Sequence, residues 1–336
     1  MNKKLIITSI AKDDNRILKI IRDGCLENNV ELIIIGDKKS PKDFKLKNST
    51  FLSIEDQKTL GFMLEKALPN NHYCRKNIGY LEAIRRGASL IIDTDDDNIP
   101  KKNFWDITFN VEKLSYIENA GWINVYKYFT NKKVWPRGFP LNKVLSVPPP
   151  IESFKNAVVK VPIWQGLADE NPDVDAIYRM MGELPIYFNE KQNIALGVGS
   201  ICPFNSQNTQ FFPEAYPLLY LPAFCSFRMT DIWRSFVAQV ISWKFDWCIG
   251  YSNSTVTQER NIHNLMSDFK DEIEGYLNNE KILESLMSVS LSSNQDKIYD
   301  NMLILYEEMV RKNFIDAREI ELLSNWIEDL RSIVVK

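Results

Sequence analysis

Four carboxylates fall within five positions of the segment Leu90-Ile91-Ile92-Asp93-Thr94-Asp95-Asp96-Asp97-Asn98. Like charges so close repel: two unit charges ~4 Å apart interact by about 4 kcal/mol at an effective dielectric of roughly 20. Solvation relieves that cost. So does a hard divalent cation seated among the oxygens, and Mg²⁺ or Mn²⁺ suits this chemistry and can bridge to a diphosphate. A solvated acidic turn is the plain alternative. Placement directly after a continuous apolar run favours the cation. Around this loop stand other groups that could bind or transfer: Thr8, Ser9 and Asp37 at strand ends, the pair Arg75-Lys76, Arg137 between Pro136 and Gly138, the acids Asp173 and Asp175, and Asp231 before Ile232-Trp233-Arg234.

Positioning such groups needs a rigid frame, and the first third of the chain predicts one. Leu5 to Ile10, Val30 to Ile35, Phe51 to Ile54 and Ser89 to Ile92 read as buried strands. Helical patterns separate them. One carries Ile17, Leu18, Ile20 and Ile21, with Asp13 or Asp14 as cap and Gly24 near its end. Another passes through Leu60, Met63 and Leu64, and a third runs from about His72 to Arg86. Strands alternating with helices imply right-handed crossovers and a mainly parallel sheet, whose ligands gather at the carboxyl ends of the strands. Residues 130 to 222 hold most of the prolines and several aromatic clusters. They predict irregular loops and short strands forming a substrate-facing wall, followed by a helix over 230–242. From about 265 onward, Ile282, Leu283, Leu286 and Met287, then Met302, Leu303, Leu305 and Tyr306, recur at helical spacing. This predicts an all-helical C-terminal appendage suited to packing, self-association or a protein partner.

Composition excludes several classes. With 41 Lys plus Arg against 44 Asp plus Glu, the formal charge of −3 lacks the basic field of a general nucleic-acid binder. No run approaches the ~18 apolar residues of a membrane-spanning helix. The first apolar run ends at Lys12, too short for a signal peptide. Five cysteines with no CxxC pair argue against a disulfide framework. The expectation is a cytoplasmic protein, with peripheral attachment at the inner face of a membrane as a variant. An EF-hand starting at Asp93 would want Gly at 98 and Glu at 104, where Asn98 and Phe104 stand. A phosphatase of the haloacid dehalogenase type would want Thr or Val at Asp97.

The stretch Arg75-Lys76-Asn77-Ile78-Gly79-Tyr80, continuing through Ala83-Ile84 and Gly87-Ala88 into the acid loop, resembles the STELLO-type glycosyltransferases. So do Ile35-Gly36-Asp37-Lys38-Lys39-Ser40-Pro41, Trp135-Pro136-Arg137-Gly138-Phe139-Pro140-Leu141, Asn205-Ser206-Gln207-Asn208-Thr209, Phe227-Arg228-Met229-Thr230-Asp231-Ile232-Trp233-Arg234 and Gln258-Glu259-Arg260-Asn261-Ile262-His263. The colinear likeness runs over roughly residues 4 to 265 and leaves the C-terminal helices uncovered. A fainter likeness is to the UDP-arabinopyranose mutases, in the Asp triplet and Arg137-Gly138. The resemblance implies a GT-A-type, Rossmann-like α/β fold with a mixed sheet and helices on both faces. Residues 1–264 would form it, with a nucleotide-binding half (1–130) and an acceptor-facing half (131–264), before the appendage at 265–336.

It also implies roles. Asp95, Asp97 and His263 would hold Mn²⁺ or Mg²⁺, with Asp96 on the donor ribose or sugar. Thr8, Ser9 and Asp37 would face the nucleobase and ribose, while Arg75, Lys76 and Arg137 would meet base, diphosphate or sugar. Asp173 and Asp175 would hold the sugar. Asp231 is either a helix N-cap or the base that deprotonates the acceptor. The activity implied is metal-dependent transfer of a sugar from a nucleotide-sugar donor to a glycan or glycolipid acceptor in surface polysaccharide or glycolipid assembly. A nucleotide-sugar mutase and a non-catalytic nucleotide-sugar-binding scaffold are the alternatives.

Overall fold

The computed structural model describes residues 1–106, 108–260 and 264–334. Four strands, β1 (Lys3–Thr8), β2 (Val30–Ile35), β3 (Thr50–Leu52) and β4 (Leu90–Thr94), lie parallel in the order β3-β2-β1-β4. Helix α1 (Arg16–Glu27) connects β1 to β2, a loop connects β2 to β3, and α2 (Ile54–Thr59), α3 (Met63–Ala67) and α4 (Lys76–Arg85) connect β3 to β4. Alternate side chains of the strands face opposite layers. Leu5, Ile7, Leu32 and Ile34 pack with Ile17, Leu18 and Ile21 of α1, whereas Ile6, Ile33 and Ile35 pack with Ile78 and Leu81 of α4. The sheet then continues past β4 through Asn208–Phe211, Lys155–Asp169, Val111–Ile117, Ile194–Leu196, Trp247–Gln258 and Asn98–Pro100. This half mixes antiparallel and parallel pairs. The α/β class, the mixed sheet and the helices on both faces are as expected.

Several local expectations change. Helix α1 is capped by Asn15, whose side chain accepts from Leu18 N–H, and not by Asp13 or Asp14. It runs past Gly24 to Glu27, and the glycine serves instead to admit an aromatic ring: a Cβ there would lie 2.2 Å from Trp105 Cζ2. Ile54 starts helix α2 where a strand was expected to end, since Ser53 and Asp56 form a capping box. The middle of the chain is not limited to short strands. Lys155–Asp169 is a 15-residue strand at the heart of the sheet. Pro162 would ordinarily break such a run. Here the register with Trp247–Gln258 slips beside it, between Trp247 and Ile249, and this bulge takes up the missing donor.

The helices after 264, Leu265–Met287, Ile298–Arg311 and Glu319–Val334, bury their apolar stripes in the larger core, including Ile282, Leu286, Met302, Leu305, Leu323 and Trp326. Polar ties are as telling. Glu319 accepts hydrogen bonds from Tyr220 OH and from the Ala223 and Phe224 amides. Asp329 accepts from the amides of Met63 and Leu64 at the start of α3. No helix among the described residues is long and apolar enough to cross a membrane.

Candidate active site

The acid loop emerges from the carboxyl end of β4. Helix α4 is drawn tight against β1 and β2 because Gly79 carries no side chain; a Cβ there would stand 2.6 Å from Ile6 Cγ2 and 2.8 Å from Ile35 Cγ1. That approach places Lys76, at the first turn of α4, directly beneath the loop. Its ammonium lies 2.6 Å from Asp93 Oδ1 and 3.0 Å from Asp95 Oδ1, and it donates to Thr94 O at 2.7 Å. Burial alone would lower the Lys76 pKa, but Asp93 and Asp95 outweigh it and raise it. Lys76 is 0 % exposed. Expected to meet a donor, Lys76 is placed where it carries the counter-charge on which the loop rests. Asp93 belongs to the same buried layer, with Arg234 on its other side at 3.8 Å.

The three following acids reach the surface of two cavities. The first, about 320 Å³, is walled by Thr8, Ser9, Gly36, Asp37, His72, Arg75 and the acid loop. The second, about 170 Å³, is walled by Arg137, Asp173, Arg179, Arg228, Asp231 and Arg260, among others. The two share Tyr73, Asp95, Asp97 and Phe227. Ser9 Oγ donates to Asp96 Oδ2, and Tyr73 OH donates to Asp95 Oδ1 at 3.0 Å. Gln258 donates to Asp97 Oδ2 at 3.0 Å, while Asp97 Oδ1 is buried with no hydrogen-bond partner among the described residues. Burial, then the charges of Asp95 and Asp96, push the Asp97 carboxyl up to about 7. Burial likewise lifts Asp95 to about 6 against the pull of Lys76, and raises Asp96.

On the first cavity's wall, Asp37 accepts the amides of Asn71 and His72, so its carboxylate already closes the segment that leads into α4. Arg75 lines the wall too, yet its guanidinium is held by Gln57 Oε1 at 2.6 and 2.8 Å and by Glu65 at 3.0 Å. His72 and Tyr73 were not singled out from the sequence. Their rings meet Phe227 edge-on at centroid distances of 5.5 and 6.4 Å. A rare histidine opening the α4 segment was the available signal.

In the second cavity, Arg137 forks between two acids. It donates to Asp173 at 2.8 Å through Nε and Nη2, and to Asp231 at 3.0 and 2.9 Å through Nη1 and Nη2. Burial would raise Asp173, but Arg137 prevails and holds it near 2. Asp231 also accepts the Ser206 amide at 3.2 Å. It is no N-cap: the helix Thr230–Lys244 begins after Met229 without a side-chain cap. Asp175 departs from expectation as well. It caps Ala176–Met181 through Tyr178 N–H, accepts the Trp135 indole N–H at 2.6 Å, and lines neither cavity. His263 lies outside the described residues.

The C-terminal helices reach this cavity from behind. Glu272 pairs with Arg228 at 2.9 Å, and Asp268 with Arg260. Asn279 donates to Gly138 O at 2.9 Å and accepts the Trp233 indole N–H at 2.8 Å, fixing the loop that presents Arg137. Their expected role in packing therefore extends to the site itself.

Among the described residues no group of three or more His, Cys, Asp or Glu forms a metal cage. The acid loop offers two carboxylates, and the orphaned Asp97 Oδ1 is a hard oxygen donor of the kind Mg²⁺ and Mn²⁺ take. To that extent the residues fit such an ion.

Residues 228–336 match the model of the STELLO glycosyltransferases, so the match runs through the C-terminal helices that the motif resemblance left uncovered. Two curated proteins of Arabidopsis thaliana are similar over 98% of this chain. They are probable glycosyltransferase STELLO2, 28% identical, and probable glycosyltransferase STELLO1, 27% identical. The chain spans 44% of the length of each. Two solved structures are similar in outline over 83% of this chain, each with a TM-score of 0.41. One is a mycobacterial protein (12% identity, 74% of that chain) and the other is M. tuberculosis glucosyl-3-phosphoglycerate synthase (10% identity, 80% of that chain). The sequence likeness to the two probable STELLO glycosyltransferases extends over nearly the whole of this chain, and the family model matches its last third.

Proposed function

We propose that the protein is a glycosyltransferase that moves a sugar from a nucleotide-sugar donor to a hydroxyl acceptor with the help of Mn²⁺ or Mg²⁺. The observation that carries the reading is the orphaned Asp97 carboxylate oxygen on the wall shared by two cavities. The names borne by the two plant relatives support the same activity. Asp97 and Asp95 would hold the ion, which when bound supplies neutralisation of the charge left on a departing nucleoside diphosphate.

The chain's own residues do the rest. In the first cavity, Thr8 and the Ser9–Asp96 pair offer oxygens to nucleoside hydroxyls, and His72, Tyr73 and Phe227 supply flat apolar surface beside them. Lys76 keeps Asp95 fixed from below, so the loop is preorganised. In the second cavity, Arg137 aims the Asp231 carboxylate, which accepts the proton of the attacking hydroxyl. Phe227 lines both spaces. A glycan or glycolipid acceptor in surface assembly belongs to the same proposal.

The test is to incubate the protein with a panel of nucleotide sugars and Mn²⁺ and follow the mixture by ¹H and ³¹P NMR. Release of a nucleoside diphosphate, with the sugar passing to water or to an added acceptor, is expected. Appearance of an isomeric nucleotide sugar without such release would make the protein a mutase. Binding of a donor with no turnover would make it a scaffold.

A further inference from the structure

The second cavity contains more cationic side chains than the proposed chemistry uses. Four arginines line it: Arg137, Arg179, Arg228 and Arg260. Three have a carboxylate partner. Arg137 forks between Asp173 and Asp231, Arg228 rests on Glu272, and Arg260 on Asp268. Arg179 is different. Its Nη2 donates to Pro172 O at 2.9 Å and its Nη1 makes a long contact of 3.5 Å to Asn171 Oδ1. Its Nε is buried with no hydrogen-bond partner among the described residues, and no ion pair links it to a carboxylate there. Burial and the nearby Arg260 charge depress its pKa to about 10, against the pull of Asp173 and Asp268. Removing a guanidinium from water without an opposite charge in hydrogen-bond contact is costly, and proteins rarely keep such a group unless something arrives to pair with it.

The donor does not obviously supply that partner. The acid loop lines both cavities, and a diphosphate on an ion held by Asp95 and Asp97 would lie at the wall they share. Arg179 lines the second cavity but not the first, on the helix Ala176–Met181 whose cap and first turn are fixed by Asp175 and by Glu272 accepting the Ala176 amide at 2.7 Å. Its backbone is therefore rigidly placed. Arginine's planar fork suits a compact oxyanion such as a phosphate monoester or carboxylate.

Resting on the glycosyltransferase reading, we propose that the second cavity seats an oxyanion of the acceptor on Arg179, flanked by Arg228 and Arg260, so that the acceptor substrate is an anionic hydroxyl compound. The anion orients the molecule, and its hydroxyl faces Asp231 on the adjoining wall.

The test uses inorganic phosphate and methyl phosphate as probes, titrated calorimetrically into the protein at low ionic strength, alone and after saturation with a nucleoside diphosphate and Mn²⁺. Binding is expected to persist, within about twofold, when the nucleotide is present. Arg179→Gln should weaken it at least about tenfold, and Arg179→Lys less, while nucleotide binding stays unchanged. Exclusion of the probes by the nucleotide would assign the arginines to the donor and overturn the proposal, as would absence of probe binding in the parent protein. Equal probe affinity in Arg179→Gln, with its fold intact by circular dichroism, would overturn it too. Failure of the nucleotide to bind is read separately: it would defeat the glycosyltransferase reading and leave the anion result standing on its own.

Discussion

The two cavities flanking the acid loop are built in different ways. The first is made mainly from strand ends and the turns after them. Thr8 ends β1 and Ser9 follows it, Gly36 and Asp37 follow β2, and the acid triplet follows β4. The second is made from ion pairs between segments far apart in the chain. Arg137 meets Asp231 across 94 residues, and its loop is held by Asn279 across 141. A cavity of the first kind is a by-product of a parallel sheet, whose carboxyl edge gathers loops whatever their sequence. A cavity of the second kind exists only if several buried charges find their partners together. The first is therefore suited to a constant ligand and the second to a selective one.

Lys76 underlies both, so its removal should break the comparison most severely. Lys76→Met would leave Asp93 buried with only Arg234 nearby, and uncompensated buried charge costs about 3–5 kcal/mol. Urea unfolding measures it, and a loss below about 1 kcal/mol would mean the loop does not rest on this pair.

Asp231→Asn should separate the cavities. Turnover is expected to fall about 100-fold, the usual scale for a general base, while donor affinity by calorimetry stays put. A matching fall in donor affinity would show that the second cavity is no independent unit. A smaller effect is expected at the shared wall. Phe227→Ala removes the half-exposed ring that meets His72 and Tyr73, and should weaken nucleotide binding by about 1 kcal/mol, roughly fivefold.

The mildest test is pH. The Asp97 pKa rises from 3.8 to about 7 on folding, through burial and its acidic neighbours. Between those values the folded state holds a proton that the unfolded chain has released, so this group's contribution to stability is full below 3.8 and is lost as pH rises through about 7. An ion at the loop competes with that proton. The gain in melting temperature from Mn²⁺ should thus grow over the same window and level off above it; a gain independent of pH would count against Asp97 as a ligand.

This contrast also explains what could be read from the chain alone. Strands β1, β2 and β4 are local apolar runs, and the loops at their ends follow from the topology, so Thr8, Ser9, Asp37 and the acid triplet could be named in advance. The partnerships could not. Nothing near Lys76 in sequence says that it would lie under Asp93 and not over a diphosphate; Gly79 decides that, through contact with Ile6 and Ile35. Asp173 and Asp175 look alike in the segment Asn171-Pro172-Asp173-Val174-Asp175, yet one meets Arg137 and the other caps a helix two residues on. Arg179, Arg228 and Arg260 drew no role from sequence, since their convergence depends on strands and helices 30 to 80 residues apart. The long strand Lys155–Asp169 was hidden by Pro162, which sits where an extra residue of this strand bulges against a partner 85 residues later.

The central claim is that the acid loop grips a cation that in turn grips a diphosphate. The most direct measurement is calorimetric titration of nucleoside diphosphates into the protein with and without Mn²⁺, for the parent chain and for Asp97→Asn. Binding is expected to require the ion in the parent and to be lost in the variant. Binding of equal strength without the ion, or undiminished in Asp97→Asn, would contradict it.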